Sequence, residues 1–103
     1  MSWDSTHAWW RALHDVAAEI ERRRDGELPW RPEHATVFGD PGGLIAALRY
    51  RWNLTVQAHE EELAGADGEA CERELIDANQ GVLQVLRAAG HRETAAAPAF
   101  AAA

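Results

Sequence analysis

Trp9, Leu13, Val16 and Ile20 recur at spacings of three and four residues, the interval that stacks side chains on one face of an α-helix. Trp10 and Ala17 widen the stripe, so the pattern predicts an amphipathic helix over about 6–24. Asp4 or Ser5 can cap its free amides, Arg22, Arg23 and Arg24 suit the negative end of the helix dipole, and Asp25-Gly26 supplies a stop.

From Asp25 to Asp40 the pattern has no sustained period, and Pro29 and Pro32 do not fit a helix interior. Leu28, Trp30, Val37 and Phe38 make the stretch too apolar for a solvated linker. The expectation is a long proline-containing connector that wraps across the helices and covers the open side of their core.

Asp40-Pro41 reads as a helix entry, with aspartate as the N-cap and proline at the first helical position. The second helix, over about 41–64, sets Ile45, Leu48, Trp52 and Val56 on one face, while Leu44, Ala47, Leu54 and Leu63 spread apolar character around its circumference. That breadth suits a central helix, or one that contacts both its own core and another chain. After a short turn at Gly65-Ala66-Asp67-Gly68, the residues Cys71, Leu75, Ala78, Val82, Leu86 and Ala89 mark a third helix over 68–90, antiparallel to the second. Gly81 inside it costs up to about 1 kcal/mol relative to alanine, which predicts close approach by another backbone or an aromatic ring. Residues 93–103 read as a disordered alanine-rich tail.

These elements make an all-α fold: a three-helix domain over 1–92, an antiparallel hairpin plus an N-terminal helix, with the connector packed on top. A chain of 103 residues buries only about 60 to 70% of the surface it exposes unfolded. Five tryptophans answer that shortage, since each ring can bury about 150 to 250 Å². Three helices also leave a groove that a second copy can fill, so the expected assembly is a homodimer completing a helical bundle.

Charge and composition then remove function classes. A formal net charge of -7 repels phosphate backbones, which makes nucleic acid an improbable partner. All ten basic residues are arginine, so Schiff-base chemistry and the phosphate-loop ammonium are excluded. No window approaches the roughly 18 apolar residues of a membrane helix. The lone Cys71 and an N-terminus without a charged and then apolar pattern point to the cytoplasm.

The candidate chemistry is sparse. Phe38-Gly39-Asp40-Pro41-Gly42-Gly43 could expose amides to an anion, but no lysine or strand accompanies it. His59-Glu60-Glu61-Glu62 concentrates possible metal ligands; the bland reading is a solvated acidic helix end, awaiting an arginine from another element. Cys71 is surrounded by Glu69, Glu72 and Glu74, which disfavour a thiolate nucleophile and leave it a small core residue. Ser2 and Ser5 are the only serines, both in a capping region, so a serine triad is not expected. Arg22, Arg23 and Arg24 could join Arg49 and Arg51 in a basic patch, with pairing to Glu60, Glu61 and Glu62 as the favoured outcome.

The functional expectation is therefore a non-catalytic regulatory or adaptor protein that acts through protein-protein contacts and self-association, without a cofactor. Trp9, Trp10, Trp30 and Trp52 are its expected aromatic anchors, and Arg49, Arg51, Glu60 and Glu61 set register. The alternative is a metal- or small-ligand-binding helical bundle, either a binding protein or an enzyme, with His14, His59 and Glu62 as ligands. The arginine-for-lysine and alanine bias resembles proteins of high-GC bacteria, and the terminal Phe100-Ala101-Ala102-Ala103 resembles the small apolar C-terminal tags read by bacterial unfoldase proteases.

Overall fold

The computed structural model describes residues 2–95, with side-chain environments through residue 92. It is all-helical: α1 (Trp3–Arg23), α2 (His34–Phe38), α3 (Pro41–Ala58), α4 (Glu60–Ala64), α5 (Gly68–Ala78) and α6 (Gln80–Ala95). Each of the two later expected helices is divided in two, and the connector contains a short helix that its prolines concealed.

The core draws its buried residues from three of the six helices. Leu13, Val16, Ala17 and Ile20 of α1 meet Leu44, Ile45, Ala47 and Leu48 of α3 and Val82, Val85 and Ala89 of α6. Every fully buried side chain of size among the described residues is aliphatic, so the tryptophans do not form the core centre as expected. Trp9 and Trp30 instead pack against its margin together with Leu28 and Phe38. The connector thus does cover the core, and Arg31 fastens it to α1 through Glu19, 2.8 Å away. Arg31 and then Arg23 hold the Glu19 carboxyl below the usual carboxylate range.

Local chemistry sets the helix ends. α1 starts three residues earlier than its apolar stripe implies, because Ser2 rather than Asp4 or Ser5 is the cap: its hydroxyl accepts the Ser5 N–H at 3.2 Å. Its other end closes on Arg24, in the left-handed region at φ 45°, whose N–H donates to the Ile20 carbonyl at 2.8 Å. α3 begins as anticipated, the Asp40 carboxylate accepting the Gly43 N–H at 2.7 Å. Gly43 lies against the Phe38 carbonyl oxygen, where a Cβ would collide with backbone. Gly43 thus serves a tight helix entry, and its own amide is already satisfied by Asp40.

The breaks between α3 and α4 and between α5 and α6 share one device. His59 has φ −114° and ψ 15°, and Asn79 has φ −123° and ψ 21°, both in the bridge region. Their own N–H groups bond the carbonyls of Val56 and Ile76, three residues back. The carbonyls four residues back are taken by the side chains: His59 Nδ1 lies 2.8 Å from the Thr55 oxygen, and Asn79 Nδ2 donates to the Leu75 oxygen at 2.9 Å. A carbonyl only accepts, so Nδ1 of His59 carries a proton. Side-chain competition of this kind interrupts a helix without glycine or proline.

α6 opens on a carboxylate from another helix. The two oxygens of Glu21, near the end of α1, accept the N–H groups of Gly81 and Val82 at 3.0 and 2.7 Å. A Cβ on Gly81 would stand 2.8 Å from the Ile20 carbonyl oxygen and 3.1 Å from Glu21 Oε2. This is the backbone approach that the glycine predicted. α6 also runs through Gly90 to Ala95, so residues 93–95, expected in the tail, continue the helix. Residues 96–103, including the tag-like terminus, lie outside the described residues.

Candidate functional surfaces

Among the described residues, two apolar surfaces stand out beyond the core, and they share α3. The first is an aromatic patch built by α1 and α3. Trp9 and Trp10 meet edge to face with centroids 4.8 Å apart, and Tyr50 approaches both, at 6.4 and 6.2 Å. Adjacent residues on a helix point about 100° apart, so Trp9 turns inward to Phe38 while Trp10 remains 39% exposed beside a 51% exposed Tyr50. Further along α1, Trp3 stacks on His7 at 4.8 Å and is 74% exposed. A shallow depression of about 330 Å³ continues the patch between His7, Trp10, Arg11, His14 and Asp15.

The second surface belongs to an arm formed by the C-terminal half of α3 with α4 and α5. Its only buried residue is Gly68. Trp52 and Val56 on α3, Leu63 on α4, and Leu75 and Ile76 on α5 line a groove of about 370 Å³, with Glu69 and Glu72 at its edge. Tyr50 and Trp52, two residues apart on one helix, point about 200° from each other, which separates the groove from the aromatic patch. The breadth of apolar character along 41–64 therefore divides along the helix as well as around it: the first half fills the core and the second lines the groove.

The arm also carries the charge. Between Glu60 and Ala78 stand eight carboxylate residues and one arginine, a net -7 equal to the formal charge of the whole chain. The other residues balance. Arg23 pairs with Glu19 and Asp25, at 2.9 and 3.3 Å, and Arg24 with Glu21 at 3.7 Å, so these arginines engage carboxylates of their own neighbourhood.

The expected anchors thus fall in different places. Trp9 and Trp10 join the aromatic patch, Trp52 lines the groove, and Trp30 packs on the core beside the buried His34. Arg49 and Arg51 flank Tyr50 in the chain and are half-buried, while Glu60 and Glu61 are exposed on α4. Tyr50, Leu75 and Ile76 were not among the expected anchors. Tyr50 stands two residues from both Leu48 and Trp52, a spacing that puts it off their apolar face, which is the sequence signal that it points outward.

Among the described residues, no group of three or more His, Cys, Asp and Glu side chains is placed to hold a metal ion. His14 lies in the aromatic depression, His59 is bonded to Thr55, and Glu62 lies 3.7 Å from the Cys71 sulfur, which donates to it. Cys71 is half-buried on the arm and is not a core residue. Burial, and then the charge of Glu62, push its thiol pKa up, the direction opposite to that of an activated nucleophile.

No helix of the described residues is long and apolar enough to cross a membrane. Comparison of the chain with protein-family models, curated proteins and solved structures finds no match.

Proposed function

We propose that this chain is an interaction protein of regulatory or adaptor type that self-associates through the aromatic patch. The observation that carries the reading is the exposure of Trp10 and Tyr50 side by side, since large aromatic side chains are the residues most often found as interface anchors. Arg11 and Asp15 beside Trp10 offer both signs of charge. A two-fold axis can place the Arg11 of one copy against the Asp15 of the other, as self-complementary interfaces require.

Sedimentation velocity tests the proposal. The wild-type chain is expected to show a sedimentation coefficient that rises with concentration towards that of a dimer. Truncating an anchor costs an interface about 2 kcal/mol or more, and each 1.4 kcal/mol is tenfold in affinity. The Trp10→Ser, Tyr50→Ser chain is therefore expected to dissociate at least about tenfold more readily, with unchanged helical circular dichroism. A wild-type chain that stays monomeric throughout the concentration series would overturn the proposal.

A further inference from the structure

We infer that the groove of the arm is a docking site for a cationic amphipathic helix of another protein. Apolar shape and charge point to this occupant together. Trp52, Val56, Leu63, Leu75 and Ile76 supply apolar walls from three helices, and Glu69 and Glu72 stand at the edge. Residues 68–76 of α5 span about 12 Å at 1.5 Å per residue, enough to face two turns of a bound helix. Helix-in-groove recognition uses apolar anchors at i, i+3 or i+4, and i+7, and the carboxylates at the groove edge would meet arginines or lysines flanking that stripe.

The same charge argues against a second copy in this groove. Packing two arms together would oppose a net -7 on each, a repulsion of like charges that interfaces avoid. Arg23, Arg24 and Arg31, which could have supplied a basic counterpart, already hold Glu19, Glu21 and Asp25 of their own chain. This docking site is independent of the aromatic patch, because Trp52 faces away from Tyr50 on α3. Peptide binding and self-association can therefore fail separately.

The test is a titration of the full chain with a synthetic helical peptide of two heptads that carries leucines on one face and arginines beside them. A second peptide, with glutamate in place of every arginine, serves as the control. The arginine peptide is expected to bind, to shift the backbone resonances of residues 52–76, and to weaken as salt rises. Glu69→Gln with Glu72→Gln is expected to weaken it about tenfold, and Leu75→Asp to remove binding while leaving the helical spectrum in place. Equal binding of the glutamate peptide would overturn the inference, as would absence of binding or an affinity unchanged by Glu69→Gln with Glu72→Gln. A concentration-dependent dimer that Leu75→Asp dissolves would also overturn it, by making a second copy the occupant.

Discussion

A Leu48→Ala chain is expected to lose about 2 to 5 kcal/mol of stability, the range for removing a buried leucine from a core that cannot fully collapse. Leu48 is completely buried and belongs to the cluster shared by α1, α3 and α6. A small domain has only about 5 to 15 kcal/mol in all, so this one truncation removes a large part of it. Leu63→Ala, a change of the same chemistry in α4, touches no core residue but lines the groove. It is expected to cost about 1 kcal/mol or less. Urea unfolding followed by circular dichroism measures both, and equal losses at the two positions would contradict a core confined to the three long helices.

The second large effect is expected at the joint between α1 and α6. Glu21→Ala leaves the Gly81 and Val82 amides without the carboxylate that now accepts both and withdraws negative charge from the start of α6. A charge-assisted bond of this kind contributes about 1.5 to 3 kcal/mol, and a loss in that range is expected. Glu21→Gln keeps the shape, but one oxygen becomes an amino group aimed at an N–H, so it recovers only part of the loss. Gly81→Ala tests the same joint from the other side. Helix propensity alone would make that change stabilising by up to about 1 kcal/mol. A Cβ 2.8 Å from the Ile20 carbonyl oxygen must instead push α1 and α6 apart, and crowding of this kind costs about 1 to 3 kcal/mol. A thermal midpoint raised by Gly81→Ala would show that the close approach does not constrain the joint.

The core was legible in the sequence because burial enforces the helical period. Of the first apolar stripe, Leu13, Val16, Ala17 and Ile20 are buried, while Trp9 packs at the core margin and Trp10 is exposed. Asp40-Pro41 marked a helix start because capping chemistry is local, and Gly81 marked a close approach because an interior glycine has no other advantage. The breaks at His59 and Asn79 leave no mark in the sequence because both residues are compatible with a helix. They interrupt it only through side-chain bonds to Thr55 and Leu75. Glu21 as the acceptor at the start of α6 was invisible for a different reason: Gly81 and Val82 lie about 60 positions further along the chain.

The tryptophans were conspicuous, but their number does not reveal which way they point. The stripe containing Trp9 led inward and left Trp10 exposed at its edge. The charge of -7 was plain in the composition, whereas its confinement to the segment between Glu60 and Ala78 gained meaning only when α4 and α5 proved to border an apolar groove.

The molecule divides into a core that supplies stability and an arm that presents a binding surface, and native-state hydrogen exchange measured residue by residue tests that division most directly. Amides of α1, the first half of α3 and α6 are expected to exchange only through global unfolding. Those of α4 and α5 are expected to exchange through local openings, at rates faster by a factor of about 10 or more. Exchange in α4 and α5 as slow as in the core would contradict the division.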